Sequence, residues 1–100
     1  MQSPAYSVYV IELDDAVGPR VRPDKPAVYV GQTVVTPEER FEQHRRGYRS
    51  SRIVRKHGVR LRPRLYRNFG PYETRAEAEA AELQLARRLR NRGFTVYGGP

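Results

Sequence analysis

The chain has 100 residues, 38% hydrophobic and 30% charged, without cysteine or tryptophan, and its 19 lysines and arginines outnumber its 11 acidic residues to give a net charge of +8. This length sustains one core and excludes a two-domain architecture, and the lack of cysteine excludes a disulfide framework, a thiolate zinc site and a cysteine nucleophile. No run approaches the roughly 20 apolar residues of a membrane span, and Met1 to Pro4 leads into a strand-like segment with no signal-peptide core, so a soluble cytoplasmic protein with no membrane partner is expected.

Tyr6–Leu13 is rich in β-branched and aromatic residues, with apolar groups at both parities, which predicts a strand covered on both faces. Asp14 to Pro26, broken by Gly18, Pro19, Pro23 and Pro26, is a connection. Ala27–Gln32 supplies a second strand, and an antiparallel hairpin with a long loop is the simplest pairing. Thr36-Pro37-Glu38-Glu39 places a capping hydroxyl, a proline at the first helical position and a glutamate at the third, so a helix starts at Pro37. It should reach about Arg46 and stop at Gly47, which tolerates a left-handed C-cap. A short second helix is predicted from Ser51 to His57, ended by Gly58.

Val59–Phe69 alternates apolar and basic residues around Pro63, which predicts a third strand at a sheet edge with its arginines facing water or a polyanion. Thr74-Arg-Ala-Glu77 is a second capping box and opens the longest helix, to about Arg92 before Gly93; Phe94–Tyr97 is a brief extended return. The order is β-β-α-α-β-α, a small α/β fold forming one domain over residues 1–100.

Charge is segregated along this frame. From Gln43 to Tyr72 no acidic residue occurs, while Arg45, Arg46, Arg49, Arg52, Arg55 and Lys56 cluster across the first two helices, marking them as candidate nucleic-acid contacts. A codon-driven arginine bias accounts for a high total but not for this clustering.

On the last helix, with Ala78 at zero, Glu82, Leu85 and Leu89 fall within about 40°, so a carboxylate sits in the apolar stripe. Such a group costs several kcal/mol, on the order of the penalty for a buried ion, unless it is paired or holds a cation. Arg40 and His44 are four residues apart on one helix face and can converge on one ligand, although a helix with so few large apolar residues would expose such a pair anyway. Tyr9 and Tyr29 are mid-strand, and Gly31 shares the face of Tyr29 and leaves room for a backbone or a phosphate. His57 stands alone and reads as a surface histidine.

Ser7-Val8-Tyr9, Tyr29-Val30-Gly31, Arg40-Phe41-Glu42-Gln43-His44 and Ala78 to Glu82, in that order along nearly the whole chain, resemble the motifs of the GIY-YIG nuclease family, in particular its small standalone bacterial members. Ser7 stands where the first motif has glycine, and Tyr97 and Gly98 where an asparagine often follows the last helix. The resemblance implies a three-stranded antiparallel sheet flanked by helices and a divalent-metal endonuclease hydrolysing DNA phosphodiester bonds, on branched or distorted DNA and in a setting such as DNA repair. Glu82 would hold Mg²⁺ or Mn²⁺, and Arg40 would stabilise the phosphorane-like transition state. Tyr9 and Tyr29 would orient or deprotonate the attacking water, with His44 as hydrogen-bond partner or proton acceptor. RNA shares the same backbone chemistry, and specificity would come from a protein partner or a homodimer. The alternatives are an inactive nucleic-acid-binding module on the same fold and a protein-interaction domain.

Overall fold

The computed structural model describes residues 5–98, so the opening Met1–Pro4 segment lies outside the described residues. Four strands form one sheet: β1 (Ser7–Leu13), β2 (Ala27–Thr33), β3 (Gly58–Leu61) and β4 (Thr95–Gly98), ordered β3-β1-β2-β4. Three helices flank it: α1 (Pro37–Arg46), α2 (Arg52–His57) and α3 (Arg75–Asn91).

β1 and β2 form the expected antiparallel hairpin over seven pairs, from Ser7 opposite Thr33 to Leu13 opposite Ala27. Val8, Tyr9, Val10 and Ile11 are all buried, as a strand covered on both faces requires. The sheet is mixed rather than a three-stranded antiparallel one. After α3 the segment from Thr95 pairs in parallel with β2, setting Tyr29 beside Tyr97 and occupying backbone groups that β2 would otherwise leave open at an edge.

The third strand is shorter than the alternation predicts. β3 ends at Leu61, the Arg62 amide still donates to Val10 at 2.9 Å, and Pro63, which has no amide to offer, opens a 3-10 turn over Pro63–Leu65. Arg60, Arg64 and Arg67 face water as expected, whereas Arg62 is partly buried and donates to Glu12 at 2.9 Å, with Arg60 3.9 Å from the same carboxylate.

Helix boundaries follow local chemistry. The Thr36 hydroxyl accepts from the Glu39 amide at 3.1 Å, and Gly47 closes α1 at φ 83°. The Ser51 side chain caps α2. At α3, Thr74 accepts from the Glu77 amide while the Glu77 carboxylate accepts from the Thr74 amide, a complete capping box. Ala78, Ala81, Leu85, Ala86 and Leu89 then bury one face of α3 against β1, β2 and β4, while α1 and α2 pack on β1 and β3. No helix among the described residues is long and apolar enough to cross a membrane.

Candidate active site

The hairpin register places Gly31 directly opposite Tyr9, and this pairing makes the site possible. A Cβ at position 31 would stand 2.5 Å from the Tyr9 hydroxyl oxygen and 2.6 Å from the carbon bearing it, so the glycine clears a path for the phenol. The space expected there for a phosphate or a backbone is filled by Tyr9 itself. Tyr9 is 2% exposed, and a buried phenol needs a polar partner.

That partner is His44. Its Nε2 lies 3.0 Å from the Tyr9 hydroxyl, and the Ser51 backbone amide donates to its Nδ1 at 3.1 Å. Burial, followed by the charge of Arg40, lowers the His44 pKa to about 4, so the ring is neutral at physiological pH. A neutral imidazole carries one proton, and since Nδ1 accepts from Ser51, that proton is on Nε2 and is donated to Tyr9. The face of α1 that spacing alone would leave in water is therefore partly interior, with His44 1% exposed, because α2 begins beside it and supplies the Ser51 amide.

Arg40, one helical turn earlier, is held by the chain that follows α1. Its guanidinium donates to the Gln43 side chain at 3.0 Å and to the carbonyls of Tyr48 and Arg49 at 3.3 and 2.7 Å. Arg49 has φ 44°, a left-handed conformation rare outside glycine, and its carbonyl is aimed at that guanidinium. Tyr29 completes the aromatic group, with its ring centroid 6.4 Å from Tyr9 and 6.0 Å from His44.

Glu82 is 7% exposed, on the inward face of α3 as the helical period predicts, and near enough to Tyr9 to act on it electrostatically. The Tyr9 phenol is driven well above its ordinary pKa of 10 by burial first and by Tyr29 next. The charge and polar contact of Arg40 oppose that rise, and Glu82 adds to it. Tyr9, Tyr29, Arg40, His44 and Glu82 are thus brought into one neighbourhood from β1, β2, α1 and α3.

The basic residues expected to meet nucleic acid lie along the α1–α2 corner. Arg45, Arg46, Arg49, Arg52, Arg55 and Lys56 are all exposed, with Arg45 over the Phe41 ring and Arg55 against Gly47. Only Arg49 among them lines the cleft of about 360 Å³ that adjoins Arg40. Tyr6, Tyr48 and Arg75 also line it, and sequence reasoning missed them. The available signal was Tyr48, a large ring set directly after the helix-ending Gly47 and among arginines. His57 is not a free surface histidine, since its Nδ1 lies 2.9 Å from the Asp14 carboxylate.

No group of three or more His, Cys, Asp or Glu that could hold a metal ion occurs among the described residues. Among the five residues of the cluster the one carboxylate is Glu82. That chemistry fits a hard cation that keeps most of its water, as Mg²⁺ does, and does not fit a closed tetrahedral zinc site.

No curated protein and no solved structure matches the chain. The GIY-YIG catalytic domain matches residues 5–95, a span holding every element from β1 to the start of β4 and all five residues of the cluster. The chain belongs to the GIY-YIG family, whose domain is a nuclease-type fold that takes DNA as substrate.

Proposed function

We propose that this protein is a metal-dependent endonuclease that hydrolyses DNA phosphodiester bonds where the duplex is branched or distorted, with Tyr9, Tyr29, Arg40, His44 and Glu82 as its active centre. The observation that carries this reading is the buried Tyr9 phenol, held by a donor of fixed tautomer and acted on by both the Arg40 cation and the Glu82 carboxylate. Glu82 would hold Mg²⁺ or Mn²⁺, which when bound polarises the phosphate and favours the departing oxygen.

The remaining work falls to the protein's own groups. His44 Nε2–H donates to the Tyr9 oxygen and fixes where its remaining lone pair points. Arg40 favours the phenolate, whereas burial and a charged Glu82 oppose it. With burial as the largest influence the phenol stays protonated, so Tyr9 orients the attacking water through its hydrogen bonds rather than taking its proton. His44 acts as donor and positioning group rather than proton acceptor, because Nδ1 is engaged by Ser51 and the ring resists protonation. Arg40, whose guanidinium already donates to Gln43, Tyr48 and Arg49, acts on the scissile phosphate by its fixed positive charge, and a bidentate grip would require it to give up one of those partners. The adjoining cleft of about 360 Å³, lined by Arg40, Arg49 and Arg75, suits a phosphodiester backbone.

Nicking of supercoiled plasmid across a Mg²⁺ and Mn²⁺ series tests the reading. Glu82→Gln should abolish metal-dependent nicking while retaining DNA affinity and the wild-type circular dichroism spectrum. Undiminished cleavage by the folded variant would overturn it.

A further inference from the structure

We infer that the cleft beside Arg40 is a subsite for one unpaired nucleotide flanking the scissile bond, with its base stacked on Tyr48 and its phosphate held by Arg49 and Arg75; this rests on the nuclease reading above. Arg40 lines both the cleft and the catalytic cluster, so a strand leaving the active centre can enter the cleft directly.

The lining chemistry is one-sided. The cleft carries Arg40, Arg49 and Arg75 and no carboxylate, an arrangement suited to a phosphodiester backbone. Two of the large hydrophobic side chains most exposed on the described surface, Tyr48 at 55% and Val34 at 54%, both line this cleft. An exposed ring beside guanidinium groups is the combination on which single-stranded bases stack. Arg49 lies 5.7 Å from the Tyr48 ring centroid and Arg75 5.9 Å from that of Tyr6, so each cation is set against an aromatic platform.

The platform is also held in place. The carbonyls of Tyr48 and Arg49 are fixed by Arg40, and Arg49 adopts a left-handed backbone that this contact stabilises. A volume of about 360 Å³ lies at the small end of ligand sites, on the scale of a single nucleotide. A base inside a duplex has both faces covered by its neighbours and cannot use Tyr48. The substrate class that fits is DNA with an unpaired nucleotide next to the cleaved bond.

Two measurements decide it. In EDTA, fluorescence anisotropy with a short single-stranded DNA should show Tyr48→Ala binding about tenfold more weakly than wild type, while Tyr48→Phe, which keeps the ring, binds as wild type does. Arg75→Ala should lower the slope of log affinity against log salt by about one phosphate. With Mg²⁺, wild type should cleave a duplex bearing an unpaired flank at least tenfold faster, in kcat/KM, than the complete duplex, and Tyr48→Ala should bring that ratio close to one. Equal affinities of wild type and Tyr48→Ala for the single strand, or an unchanged substrate ratio in the variant, overturn the inference. The EDTA arm does not depend on cleavage, so an inert wild type with ring-dependent binding would refute the nuclease reading and leave the subsite standing.

Discussion

Replacing Gly31 with alanine adds one methyl group to the sheet and strikes the centre of the site. The new Cβ would sit 2.5 Å from the Tyr9 hydroxyl and 2.6 Å from Cζ, against about 3.5 Å for ordinary carbon contact. Tyr9 must withdraw by roughly 1 Å, which disturbs the 3.0 Å hydrogen bond between its oxygen and His44 Nε2. Overpacking of this kind costs about 1–3 kcal/mol, and the lost hydrogen bond about 1 kcal/mol more. For a domain of this size each 1 kcal/mol lowers Tm by about 4–8 °C, so a fall of roughly 8–30 °C is expected. A 1 Å misplacement of a reacting group costs about 100-fold in rate, so plasmid nicking at a temperature where the variant is folded should fall by that order. Thermal denaturation and single-turnover nicking measure the two effects. The Tyr9→Leu background isolates the cause, because once the ring is gone Gly31→Ala should add little further destabilisation. An alanine variant with wild-type Tm and wild-type cleavage would refute the close approach of the phenol to Gly31, and with it the geometry of the site.

Two further predictions concern stability. The unfolded chain binds the His44 proton near pH 6.5 and the folded state only near pH 4, so between these values unfolding takes up a proton and acid favours it. The stability His44 confers is fully present above pH 6.5 and declines as pH falls to 4, by on the order of 2–3 kcal/mol in urea titrations. His44→Gln, which keeps a donor and an acceptor but does not titrate, should lose less over that range, and identical pH profiles would refute the neutral buried ring. Thr74→Ala removes the hydroxyl side of the α3 capping box and should cost about 1 kcal/mol, whereas Thr74→Asp should retain most of the stability; equal Tm values for wild type and Thr74→Ala would show that the box contributes nothing.

What could be read in the sequence is what short-range chemistry determines. Thr36, Pro37 and Glu39 mark the start of α1 and Gly47 its end, because the groups that satisfy a helix terminus lie within four residues of it. Glu82 could be placed on the inward face because the apolar period of α3 is unbroken around it. The role of Gly31 was legible only in part. A strand glycine announces a close approach, yet that Tyr9 fills the space depends on the hairpin register. Long-range partners left no local trace. The parallel addition of β4, the pairing of Glu12 with Arg62 and the Ser51 amide on His44 join residues brought together only by the folded chain. The alternation across Val59–Phe69 misled for a related reason. Period two persists past Leu61, but Pro63 removes the amide that would extend the ladder.

The arrangement around Tyr9 also explains why one site draws residues from so many elements. A buried tyrosine is a poor base because desolvation favours its neutral form, and no contact with a neutral donor reverses that. Arg40, from α1, favours the ionised form, while Tyr29 from β2 and then Glu82 from α3 add to the effect of burial. Arg40 and Glu82 both stand on helices capped at their N-termini, so the charges that act on the phenol come from separate elements of the fold. Burial therefore keeps the phenol protonated in the resting protein, which guards it against a stray reactive phenolate and leaves Tyr9 a hydrogen-bonding rather than a proton-accepting group.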